Sequence, residues 1–78
     1  MSEYRLDIVG DIKLGDYSNI HDYMGVIDQS DKFIITSKMK NSDEVGILCK
    51  MLENNYFKIV EQGKMKNGQY SVTSQKER

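Results

Sequence analysis

Tyr56 to Thr73 reads YFKIVEQGKMKNGQYSVT, and the fold turns on how this stretch is read. An Asn-Gly pair between alternating residues is the strongest short-range signal for a β-hairpin. A two-residue type I′ turn at Asn67-Gly68 sets Lys66 opposite Gln69 and Met65 opposite Tyr70. Phe57, Ile59, Met65, Tyr70 and Val72 then share one face. Lys58, Gln62, Lys64, Lys66, Gln69, Ser71 and Thr73 share the other. Turn chemistry and apolar parity agree independently, which is what a well-specified hairpin requires. Residues 75–78 are polar and are expected to fray.

Upstream, Asn41 with Glu44 three residues on resembles a capping box, and Asp43 and Glu44 suit the positive end of a helix dipole. Val45, Leu48, Cys49 and Leu52, joined by Met51, make its inward stripe. Asn54-Asn55 is expected to end this helix in left-handed geometry. Phe33-Ile34-Ile35-Thr36 is apolar on both parities and suits a central strand. Ile20, Tyr23, Met24 and Ile27 share a helical face, with Asp16 or Ser18 as cap. Residues 18–28 also admit a rival reading, a strand from Tyr23 to Ile27. At the N-terminus Tyr4, Leu6, Ile8, Ile12 and Leu14 alternate with polar residues. That period predicts one long bent strand, or two short ones, across 3–14, with Gly10 at the bend. The expected order is β-α-β-α-β-β, a small two-layer α+β domain with its helices on one sheet face.

The totals fit this picture. Seventy-eight residues make a single domain, 1–78, with a stability of roughly 4–12 kcal/mol. Hydrophobic residues are 38% and charged residues 29%, as in a folded chain rather than a disordered one. One cysteine cannot form an internal disulfide, and no apolar run reaches a membrane span. Together these point to a cytoplasmic protein. Net charge is −1, unevenly placed. Residues 1–37 carry three basic against seven acidic side chains, and residues 38–78 carry eight against five. A basic half can mark a surface for an anionic partner, although folding can also interleave the halves.

Little here supports catalysis. His21 stands alone among scattered carboxylates, whereas a tight metal site needs three or four converging ligands. Cys49 on an apolar stripe reads as a small buried hydrophobe rather than a nucleophile. No phosphate-binding loop, nucleophile elbow or zinc-helix motif occurs. No enzyme activity, cofactor, metal or small-molecule substrate is expected.

Binding is the better expectation. Ser42 to Thr73, through Leu52-Glu53-Asn54-Asn55-Tyr56-Phe57 and the basic turn Lys64-Met65-Lys66-Asn67-Gly68, resembles the recognition-helix and wing portion of winged-helix proteins. That resemblance implies a nucleic-acid binder using the basic hairpin. Lys58, Lys64 and Lys66 would track phosphates, with Ser71 and Thr73 as hydroxyl donors and Tyr56 beside them. The same lysines on an exposed strand also protect against edge-to-edge aggregation. The preferred reading is a non-catalytic interaction module that binds another protein, or itself, through a sheet edge or the hairpin. Its size and its lysine- and asparagine-rich composition would suit a regulator or inhibitor of phage or mobile-element type.

Overall fold

The computed structural model describes residues 2–39 and 42–78. The chain runs β1 (Glu3–Asp7), α1 (Leu14–Val26), β2 (Lys32–Ser37), α2 (Ser42–Asn54), β3 (Phe57–Lys64) and β4 (Tyr70–Lys76). Among the described residues the strands form one sheet in the order β1-β2-β4-β3. β1 and β2 are parallel, and β4 runs antiparallel to both its neighbours. The domain is a small α+β fold ending in a hairpin whose turn contains Asn67 and Gly68, as the sequence predicts. β1 and β3 are the two edges.

One core sits between the helices and one sheet face. Phe33, Ile35, Val72 and Phe57 supply the sheet side, and Ile20, Met24, Ile27, Leu48 and Leu52 close it from the helix layer. Phe33 is its centre: its ring stacks on Tyr23 at 5.5 Å and meets Phe57 at 6.2 Å. Aromatic pairs at such separations add to what burial alone contributes.

The alternating stretch at the N-terminus does not stay a strand to residue 14. β1 stops at Asp7, and Gly10, at φ +80°, turns the chain. Its carbonyl accepts the Lys38 amide at 3.0 Å and the Ser37 hydroxyl at 2.8 Å. Ile8 and Ile12 still reach the core, so the apolar parity is satisfied by a turn rather than by continued strand. Residues 14–26 are helical, which excludes the strand at Tyr23–Ile27. Lys13 takes the N-cap position, and Asp16 reaches back to accept its amide at 2.8 Å. Asp16 therefore serves the helix start from its first turn.

In α2, Leu48 and Leu52 are fully buried, with Cys49 and Met51 packed beside them. The proposed cap at Asn41 lies outside the described residues. The left-handed residue that ends this helix is Tyr56, at φ +68°, and not Asn54 or Asn55. Asn55 instead donates its side-chain amide to the Met51 carbonyl at 2.8 Å, satisfying one of the carbonyls a helix end leaves open.

The hairpin departs from its expected register in two places. Met65 donates to the Gln69 carbonyl at 2.6 Å, and Gly68 donates to the Met65 carbonyl at 3.1 Å. Gly68 takes φ +87°, while Asn67 stays out of the positive-φ region. This is a three-residue loop, a tight turn followed by a left-handed glycine, and not a two-residue type I′ turn. Lys64 accordingly pairs with Tyr70. Further along, Val60 is an extra residue between the pairs Ile59–Ser74 and Glu61–Thr73. A bulge of one residue inverts the parity of the strand beyond it. Phe57 and Ile59 keep the expected core face, whereas Gln62 and Lys64 move to the helix side, opposite Val72 and Tyr70.

The C-terminal residues are held more firmly than their composition suggests. β4 continues through Lys76, whose amide donates to the Asp31 carbonyl at 3.0 Å, and Glu77 donates to the Tyr56 carbonyl at 2.8 Å. The Lys76 ammonium donates to the carbonyls of Met24 at 3.2 Å and Ile27 at 2.8 Å.

Candidate functional site

The uncovered sheet face is built from cross-strand rows, because paired residues point to the same side. One row runs Asp7, Thr36, Ser71, Gly63, the next Arg5, Ile34, Thr73, Glu61, and a third Glu3, Lys32, Gln75, Lys58. Lys58, Ser71 and Thr73 thus share this face. Lys64 lies on the other side of the sheet, Lys66 is exposed in the turn, and Tyr56 sits at the junction of α2 and β3. The bulge at Val60 is what divides the lysines. Adjacent apolar residues at Ile59-Val60 break the alternation, and that is the sequence signal for it.

Tyr56 is exposed, with the Arg78 guanidinium 5.2 Å from its ring centre. It borders a shallow groove of about 410 Å³ together with His21, Met24, Asn55, Lys76 and Arg78. Two of the Lys76 donors are already spent on α1, so the groove offers fewer charges than its composition suggests.

The edge at β1 is different in kind. Lys32 donates to the Ser2 carbonyl at 3.0 Å, and Ile8 donates to the Thr36 carbonyl at 2.8 Å. Along a strand, successive residues point their backbone groups to opposite sides, so the even-numbered residues of β1 face β2. Glu3, Arg5 and Asp7 therefore turn their N–H and C=O groups outward, along the edge. Their side chains are exposed on the uncovered sheet face and alternate in sign. Arg5 and Asp7 pair at 3.0 Å. Asp7 also accepts the Thr36 hydroxyl at 2.5 Å. That bond, and then the Arg5 guanidinium, hold the Asp7 carboxyl below its ordinary pKa.

β3, the other edge, carries the Val60 bulge and exposed Lys58 and Lys64. Bulges and edge lysines are the devices by which sheets discourage added strands. Among the described residues, β1 is the edge without a bulge. The N-terminal alternation does not by itself single out Glu3, Arg5 and Asp7, because period two reports a face and not a neighbour.

Cys49 is half-buried, its Sγ donating to the Gln62 side-chain Oε1 at 3.6 Å. Burial, and then the Glu53 carboxylate, raise its thiol pKa, which lowers the fraction present as reactive thiolate. His21 is exposed on α1. Among the described residues no three His, Cys, Asp or Glu side chains gather as a metal site would require, and no helix is long and apolar enough to cross a membrane. No protein-family model, curated protein or solved structure matches the chain.

Proposed function

We propose that this protein is a non-catalytic interaction module that recruits an extended protein segment along the free edge of β1. The observation that carries the reading is the row of outward backbone groups at Glu3, Arg5 and Asp7, on an edge with neither bulge nor proline. Main-chain hydrogen bonds supply affinity in strand addition, and side chains alternating along the new strand supply specificity. A module of this size acts by occupancy, as a regulator or inhibitor that engages a strand its partner would otherwise use.

The test is selection of random displayed peptides on the wild-type protein, with the selected peptides then compared on Arg5→Pro. Proline removes an outward N–H and leaves the β1–β2 ladder intact. Peptides that bind the wild type and lose binding to Arg5→Pro support the reading. Peptides that bind both equally well, or shift amide resonances only away from β1, defeat it.

A second reading is a nucleic-acid binder of winged-helix type. It draws support from Lys58, Ser71 and Thr73 sharing the uncovered face. Its test is the triple variant Lys58→Gln, Lys64→Gln, Lys66→Gln in a salt-titrated assay with duplex DNA. If the three lysines contact phosphate, affinity falls and the slope of log K against log salt shrinks by about 0.9 per lost contact.

A further inference from the structure

We infer that the strand received by the β1 edge is β1 of a second copy of this chain, paired antiparallel about a two-fold axis at Leu6. This inference rests on the edge-recruitment reading above and names its occupant. A two-fold interface uses one patch twice, so a strand that pairs with itself must be self-complementary.

The backbone restricts the register first. Only Glu3, Arg5 and Asp7 turn their N–H and C=O groups outward, so odd-numbered residues must oppose odd-numbered residues. The axis then passes through Tyr4, Arg5 or Leu6. Side-chain charge and the apolar side together decide among the three. With the axis at Arg5, the two Arg5 side chains oppose each other and each Glu3 meets an Asp7. Like charges directly opposite destabilise a strand pair. With the axis at Tyr4, Glu3 meets Arg5 as well, but on the helix-facing side Leu6 then opposes the polar Ser2.

With the axis at Leu6, Arg5 of each copy meets Asp7 of the other, and the four charges alternate on the uncovered sheet face. Arg5 and Asp7 exchange both main-chain hydrogen bonds in each pair, as an antiparallel ladder requires. On the helix-facing side, Leu6 meets Leu6, and Tyr4 comes opposite Ile8, which is buried in its own chain just past the end of β1. Tyr4 and Leu6 are only partly buried in the single chain, so apolar surface remains for a neighbouring strand to cover. The charged face is then complementary, the Leu6 pair covers apolar surface on the other side, and the two sheets become one of eight strands.

The experiment uses charge reversal. Sedimentation equilibrium of the full chain is run on the wild type, Arg5→Asp, Asp7→Arg, and an equimolar mixture of the two variants, with circular dichroism recorded on each. The wild type is expected at twice its 9.0 kDa chain mass as concentration rises into the micromolar range. Each variant opposes like charges at both pairs and is expected to stay monomeric. The mixture restores opposite charges at both pairs and is expected to form a heterodimer.

A wild type that stays monomeric, single variants that still dimerise, or a mixture without heterodimer would each overturn the inference. Should a variant lose its native dichroism, Arg5→Pro and Lys50→Ala replace the pair. Arg5→Pro must abolish the dimer, and Lys50→Ala, exposed on α2 away from the sheet edge, must preserve it. A monomeric wild type that still captures displayed peptides in an Arg5-dependent way removes self-pairing and leaves edge recruitment standing. A monomer that captures none removes both.

Discussion

Gly68 and Asn67 look equivalent in an Asn-Gly turn, and the backbone separates them. Gly68 holds φ +87° and Asn67 does not take a positive φ. A side chain in left-handed geometry costs about 1–2 kcal/mol, so Gly68→Ala should lower the denaturation free energy by that amount. Asn67→Ala loses the side-chain oxygen that accepts the Gln69 amide at 3.0 Å, worth about 0.5 kcal/mol at an exposed site. Denaturant midpoints of the two single variants check this, and equal shifts would contradict the three-residue loop.

Asp7 makes a pH prediction of definite sign. Its folded pKa lies below the ordinary 3.8, through the Thr36 hydroxyl first and Arg5 second. A depressed carboxyl pKa adds stability above the unfolded value, and that contribution is lost as pH falls through the folded value. Thr36→Val removes the larger cause. Carboxyl-carbon NMR titration should show the Asp7 midpoint rising toward 3.8 in that variant, and an unmoved midpoint would sink the assignment.

At the scale of elements, α1 has no basic residue in its last turn, and the cation that serves its C-terminal carbonyls comes from β4. Lys76, half-buried, donates to Met24 and Ile27 from more than forty positions downstream. Cations near a helix C-terminus satisfy open carbonyls and oppose the dipole. Lys76→Met should cost about 1–2 kcal/mol and speed amide exchange at the end of α1 relative to its start. Uniform exchange along α1 in the variant would show that Lys76 does not hold that end. Sequence order alone could not have linked the two, because a polar tail signals fraying unless something distant receives it. Likewise the hairpin is legible from its turn residues and alternation. Strict alternation nevertheless puts Gln62 and Lys64 on the wrong face, because it takes no account of the extra residue at Val60.

At the scale of the whole molecule, the core is small enough that one side chain dominates it. Phe33 is fully buried between Tyr23 and Phe57. Removing such a ring costs about 3–5 kcal/mol, a large share of the ~4–12 kcal/mol expected for a chain of this length. Phe33→Ala should therefore be partly unfolded at physiological temperature. A melting curve close to wild type would mean that the core is not organised around this ring.

Local chemistry in the sequence determined the α2 face, the central strand and the place of the turn at Asn67-Gly68, because periodicity and turn preference act over a few residues. Leu48, Leu52, Phe57 and Val72 were legible as core for the same reason. Whether residues 18–28 form helix or strand was for the structure to decide. Only the tertiary structure decided that β4 lies between β2 and β3, leaving β1 as an unbulged edge. It also decided that Gly10 turns the chain after β1, and that Lys76 docks on α1. Strand order, and with it which backbone groups are left unpaired, is set by contacts between residues far apart in the chain. Alternation along one strand carries no record of its neighbours.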